Sequence, residues 1–114
     1  MRPVCCVGSG FSAEQLSDLA QRLKSDVVSR EELAQCAAYC EDSRLVQVQL
    51  PKALKMDVYC RPRIVIEVRC AQISRSKTYA LQKGEEGLSL RFPRFLRVRE
   101  DKGVGDVTEY GALL

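Results

Sequence analysis

Residues 88–102 read LSLRFPRFLRVREDK, and the spacing of their apolar and cationic side chains decides how the rest of the chain is read. Leu88, Leu90, Phe92, Leu96 and Val98 fall on even positions, whereas Arg91, Arg97 and Arg99 fall on odd ones. Successive side chains of a strand point to opposite faces, so the stretch predicts a strand with one apolar and one cationic face. Arg94 on the apolar side and Phe95 on the cationic side break the alternation. Pro93 has no N–H to give to a ladder and predicts a bulge or an edge at that point. Arginines two apart on a strand stand roughly 7 Å apart, close to the phosphate spacing of an extended nucleic-acid backbone. The same pattern also suits a merely solvated outer face.

Charge elsewhere favours the first of these. The chain has 114 residues, enough for one small domain with a modest core, and a net charge of +3. Five cations against two anions within 88–102 account for all of it, whereas 12–43 is net −4. An acidic first half and a basic second half suit a partner that brings phosphate to one face. No apolar run approaches the roughly 18 residues of a membrane span, and MRPVCCVGSG lacks the pattern of a secretory signal. Six cysteines without such a signal predict reduced, mostly buried thiols in an intracellular protein, cytosolic or nuclear. Zinc is the sharper alternative for them, but only Cys36 and Cys40 are spaced to share a helical face and there is no histidine. No metal site is expected.

Along the chain, residues 2–7 predict a short strand ended by Gly8-Ser9-Gly10. Ser12 with Gln15, and Ser29 with Glu32, have capping-box spacing. Leu16, Leu19, Ala20 and Leu23 then recur at helical spacing, and Leu33, Ala37 and Cys40 predict a second helix running to about Glu41. LVQVQL (45–50) alternates as a strand that Pro51 ends, and 52–63 reads as a connection. RIVIEVRCAQIS (63–74) is the clearest strand, with Ile64, Ile66, Val68 and Cys70 on one face and Glu67 and Arg69 on the other. A polar loop over 74–87 leads into the cationic strand, and 103–114 is a short tail. Two long strands with one polar face each predict part of a small antiparallel barrel.

Taken in order, these blocks resemble a known family. Gly8-Ser9-Gly10-Phe11-Ser12 with Glu14 and Leu16, then Glu67-Val68-Arg69-Cys70-Ala71 with Ser74, Ser76 and Tyr79, then 87–102 nearly residue for residue, are similar to the C-terminal OB-fold domain of ATP-dependent DNA ligases, closest to the eukaryotic replicative type. The resemblance covers 4–24 and 64–102. Residues 25–63 match poorly and read as a helical insertion or linker within a domain of residues 1–102. Gln72 stands where the family has an acidic residue and Lys77 where it has a proline. The fold implied is α+β, mainly β: a partial OB-fold antiparallel barrel with one or two added helices, its start lacking two strands of the complete barrel.

The resemblance implies a mechanism in which a lysine of a KxDG motif takes AMP from ATP, AMP passes to a 5′-phosphate, and a 3′-hydroxyl seals the nick. The OB domain closes over the nucleotide and its RxDK element, here Arg99, Asp101 and Lys102, engages the pyrophosphate. Cations beside developing phosphate charge stabilise it, with Asp101 orienting them or a bound metal ion. Arg91, Arg94 and Arg97 become candidates for contacts to the DNA backbone. ATP and Mg²⁺ are the cofactors of the complete enzyme, and nicked double-stranded DNA and an adenylation domain, in cis or in trans, are the partners. No KxDG occurs, however: Lys55-Met56-Asp57-Val58 lacks the glycine, and no P-loop or Ser/His/Asp set replaces it. The chain is therefore expected to be catalytically incomplete alone. The alternatives are a stand-alone nucleic-acid-binding remnant of the OB fold or a degenerate gene fragment, and, from the same superfamily, an RNA-capping guanylyltransferase, which the ligase-like SLRFPRF block disfavours.

Overall fold

Two long antiparallel strands, each broken once, form the frame of the computed structural model, which describes residues 1–39, 45–108 and 110–113. The first strand comprises β5 (Ile66–Arg69) and β6 (Gln72–Ser76), and the second β7 (Gly87–Arg91) and β8 (Arg94–Val98). β5 pairs with β8 and β6 with β7, and one register runs from Val68↔Phe95 through Arg69↔Arg94 to Ser76↔Gly87. The breaks at 70–71 and 92–93 face each other, where Pro93 cannot donate and Phe92 takes a left-handed φ of 55°. A second irregularity lies between Glu67↔Arg97 and Val68↔Phe95, where Leu96 is the extra residue of a bulge.

These two irregularities correct the predicted faces of the cationic strand. Leu88 and Leu90 turn inward as expected, but beyond the break it is Phe95, on an odd position, that is 2% exposed. Phe92 and Leu96 are exposed, and after the bulge Val98 is half-buried on an even position. A left-handed residue and a bulge each shift the inward set, which a simple period of two cannot represent.

The N-terminal segment runs alongside this second strand. Leu90 donates to the Val4 carbonyl at 2.9 Å, Phe95 donates to that of Ser9 at 2.8 Å, and Ser9 makes a parallel bridge with Arg94. Residues 2–7 are thus extended but not the predicted strand, because single hydrogen bonds rather than a ladder hold them. Gly10, at a φ of +95°, sits where a Cβ would lie 2.3 Å from the Phe95 carbonyl oxygen. That close approach stacks Phe11 on Phe95 at 4.2 Å between ring centroids, inclined by 12°.

The main helix α1 (Ala13–Leu23) begins at the Ser12/Gln15 capping box, with both reciprocal hydrogen bonds made. The second box, Ser29/Glu32, also forms, but its helix α2 (Arg30–Ala34) is much shorter than predicted. Gln35 and Cys36 close it by donating to carbonyls three residues back, and the chain then pairs as β2 (Ala37–Tyr39) with β3 (Leu45–Gln47). A helix this short is marginal alone, so strand pairing next to it decides where it ends. Cys40 and Glu41, to which the helix was predicted to run, lie outside the described residues. β3 stops three residues short of the predicted strand, although Val48 and Leu50 remain half-buried between the exposed Gln47 and Gln49. The stretch 52–63, read as a connection, contains β4 (Tyr59–Cys60), which pairs with β1 (Val27–Val28). The predicted loop over 74–87 is strand as far as Ser76.

The architecture is α+β with short antiparallel sheets, and among the described residues the strands do not close into a barrel, consistent with a partial OB-like domain. Its buried apolar side chains include Leu33, Tyr79, Leu88 and Phe95. Among the described residues no helix is long and apolar enough to cross a membrane.

Candidate functional site

The second long strand ends in a turn that displays four charged residues. Arg99 donates its backbone N–H to Val65 at 2.8 Å, adding one rung beyond β8, and Lys102 donates to the Arg99 carbonyl at 3.2 Å. That i to i+3 bond makes Arg99-Glu100-Asp101-Lys102 a β-turn with Glu100 and Asp101 at its corners. A rigid strand thus fixes where Arg99 begins, and the turn brings Lys102 back beside it.

Every carboxylate near this turn is gripped by an arginine. Arg99 presents Nε and Nη2 to the two oxygens of Asp101, at 3.1 and 3.0 Å, and Nη1 to Glu67 at 2.9 Å. Arg97 reaches the same Glu67 oxygen at 3.2 Å. The Arg99 fork and the turn's own backbone amide pull the Asp101 carboxyl down to about 2. Hydrogen bonds from Arg97 and then Arg99 hold Glu67 below the ordinary carboxylate range. Both oxygens of Asp101 are thus engaged by the Arg99 fork.

Elements distant in sequence close on the same turn. Arg22, in the last turn of α1, donates to both oxygens of Glu100 at 2.9 and 3.1 Å. Arg63, just ahead of β5, pairs through Nε with Asp26 at 2.6 Å and donates to the Arg22 carbonyl. Between them lies a cleft of about 140 Å³ lined by Arg22, Arg63, Arg99, Glu100 and Lys102, with Val98 also in its wall.

A separate patch forms at the break of the hairpin. Phe92 is 74% exposed, with the Arg91 guanidinium 5.6 Å from its ring centroid. Arg94 is exposed beside it, and its side-chain stem passes over Gly10. Ser9 supports the break from the other side by donating its hydroxyl to the Pro93 carbonyl at 3.0 Å.

The fold thus brings Arg99, Asp101 and Lys102 to one turn and joins Arg97 to them through Glu67. It leaves Arg91 and Arg94 at the break, where no ion pair or hydrogen bond ties them to that cluster among the described residues. Sequence reasoning missed Arg22, Arg63, Glu67 and Glu100 as members of the site and counted Phe92 with the core. Pro93 was the available signal for Phe92; nothing in spacing marks Arg22 or Arg63.

With this geometry in hand, the relatives of the chain decide its family. Residues 1–102 match the family model described as the ATP dependent DNA ligase C terminal region. The chain belongs to that family. It is 36% identical to a DNA ligase of Ignicoccus hospitalis, with 97% of this chain and 17% of the relative covered. It is 38% identical to DNA ligase 1 of Saccharomyces cerevisiae, with 91% and 12% covered, and 34% identical to DNA ligase 1 of Schizosaccharomyces pombe, with 95% and 13% covered. This ligase region therefore spans less than a fifth of the length of these curated relatives.

Proposed function

We propose that this chain is the C-terminal part of an ATP-dependent DNA ligase, whose Arg99-Glu100-Asp101-Lys102 turn engages the pyrophosphate of ATP while a lysine elsewhere is adenylated. One observation carries the reading: the turn holds Arg99 and Lys102 on a single cleft, with the Arg99 fork already aligned on carboxylates. Phosphate oxygens present the same acceptor geometry with more charge. In lysine adenylation a bond forms from the lysine nitrogen to the α-phosphorus, the bond to the β-phosphate oxygen breaks, and the electron pair leaves on pyrophosphate. Cations fixed beside that leaving group lower the barrier by meeting charge as it develops. Arg99 would do so by exchanging Glu67 for a phosphate oxygen, with Asp101 keeping the fork oriented.

The nucleophile must come from another domain, since the chain contains no Lys-x-Asp-Gly. ATP with Mg²⁺ is the cofactor this reading implies for the complete enzyme. The break patch serves nicked duplex DNA in this reading. Arg91, Arg94 and Arg97 contact phosphates, and Phe92, an exposed ring held out at a strained φ between two arginines, stacks on the nucleic acid.

The test adds the purified chain to the adenylation domain of a related ligase and follows lysyl-AMP formation and nick sealing. Stimulation that falls at least tenfold with R99A or K102A is expected, and no sealing by the chain alone. Duplex binding without any stimulation would instead identify a stand-alone binding module, and sealing by the chain alone would refute the dependence on another domain.

A further inference from the structure

Two of the cations at the cleft belong to no part of the Arg-x-Asp-Lys element. Arg22 comes from the end of α1 and Arg63 from the approach to β5, yet both line the space into which Arg99 and Lys102 face. Glu100 is the one acidic side chain in that lining, while Asp26, Glu67 and Asp101 pair with the same guanidinium groups from outside it. Each guanidinium is already oriented. Arg63 is fixed by Asp26 and by the Arg22 carbonyl, Arg99 by Asp101 and Glu67, and Arg22 by both oxygens of Glu100. Lys102 has no ion pair among the described residues. The Glu100 side chain is 71% exposed and the Arg22 side chain 30%, so their pair is open to water and to exchange. A carboxylate gripped by a guanidinium fork in an otherwise cationic, solvent-open cleft sits as an oxyanion would.

We propose that Arg22 and Arg63 complete, with Arg99 and Lys102, a diphosphate-sized anion site in which Glu100 is an internal competitor. Inorganic pyrophosphate, or the β–γ end of a nucleoside triphosphate, binds there by displacing the Glu100 carboxylate from Arg22. The inference rests on the phosphate role of Arg99 and Lys102 and adds to it two residues and a gate. Four cationic side chains converging on one cleft can give a diphosphate more charge-assisted hydrogen bonds than the single carboxylate accepts, while Glu100 keeps the cleft from collecting weaker anions between encounters.

Calorimetric titration of the 114-residue chain with pyrophosphate at fixed low ionic strength tests this. R22Q and R63Q are each expected to weaken binding about tenfold, the loss of a charge-assisted pair of hydrogen bonds. E100Q is expected to tighten it severalfold, because a neutral amide competes poorly for Arg22, and this variant removes no cation and leaves the cleft wall in place. R75Q, on the far strand β6, controls for bulk charge and leaves the affinity unchanged. Duplex DNA at equal phosphate concentration leaves the titration unchanged, and displacement of pyrophosphate by duplex would overturn the assignment to diphosphate. If R99Q abolishes binding while R22Q, R63Q and E100Q all match the parent, the role of Arg99 stands and this inference falls. If the parent chain takes up no pyrophosphate, both fall.

Discussion

Phe92 is the residue whose surroundings fit its type least. A bulky side chain in the left-handed region costs roughly 1–2 kcal/mol, and the ring regains little of that by burial, being 74% exposed. Replacement by Asn, which tolerates this conformation, is therefore expected to leave stability unchanged or to raise it by about 1 kcal/mol in urea unfolding. The same F92N change should lower affinity for nicked duplex by about 1–3 kcal/mol, the worth of one stacked base. A ring kept for packing would move both quantities in the same direction. Asp101 offers a second test at this scale. Its folded pKa of about 2 lies below the ordinary aspartate value of 3.8, so the Arg99 clamp stabilises the fold fully above about pH 4 and is lost as pH falls through 2. Carboxyl carbon NMR should find the Asp101 midpoint near 2 in the parent chain and raised part-way toward the ordinary aspartate value in R99Q, where the turn's own backbone amide and Lys102 still act. A midpoint that ignores R99Q would show that the fork is not what holds the carboxylate ionised.

At the scale of elements, Gly10 joins the N-terminal segment to β8. A Cβ there would meet the Phe95 carbonyl oxygen at 2.3 Å on a backbone already at a φ of +95°, so G10A is expected to cost about 3 kcal/mol through strain and overpacking. Equilibrium urea unfolding measures this, and a loss below about 0.5 kcal/mol would mean that the segment does not dock as described. The elements also show what the sequence could convey. Both helix starts were legible because a capping box is written within four residues. The end of α2 was not, because pairing of β2 with β3 sets it. The long hairpin was legible from alternation, but its inward faces depend on the φ of Phe92 and the bulge at Leu96, which are geometric rather than compositional. The site divides in the same way. Arg99, Asp101 and Lys102 form one turn and were found together, whereas Arg22 meets Glu100 across 78 positions of sequence.

For the molecule as a whole, surface and charge act together. A folded monomer of 12.8 kDa is expected to expose about 6,300 Å², whereas this chain exposes 8041 Å², with Leu16, Val27, Val58 and Ile73 among its open apolar side chains. Its core is thin, so long-range electrostatics rather than extended apolar contact should govern how it meets a polyanion. Residues 88–102 carry a charge of +3, equal to that of the whole chain, so attraction to phosphate is concentrated on the hairpin. Binding to a nicked duplex should then weaken steeply with salt, and the slope of log affinity against log salt counts the phosphates neutralised at about 0.9 each. R91Q and R94Q, exposed at the break, should each reduce that slope by about 0.9. R97Q should reduce it less, because Arg97 already shares Glu67 with Arg99. R75Q, on β6, should leave it unaltered. Fluorescence anisotropy across a salt series reads all four. Equal loss from R91Q and R75Q would mean that the chain attracts DNA by total charge alone, whereas loss confined to the break would make the exposed turn around Phe92 the face that meets the duplex.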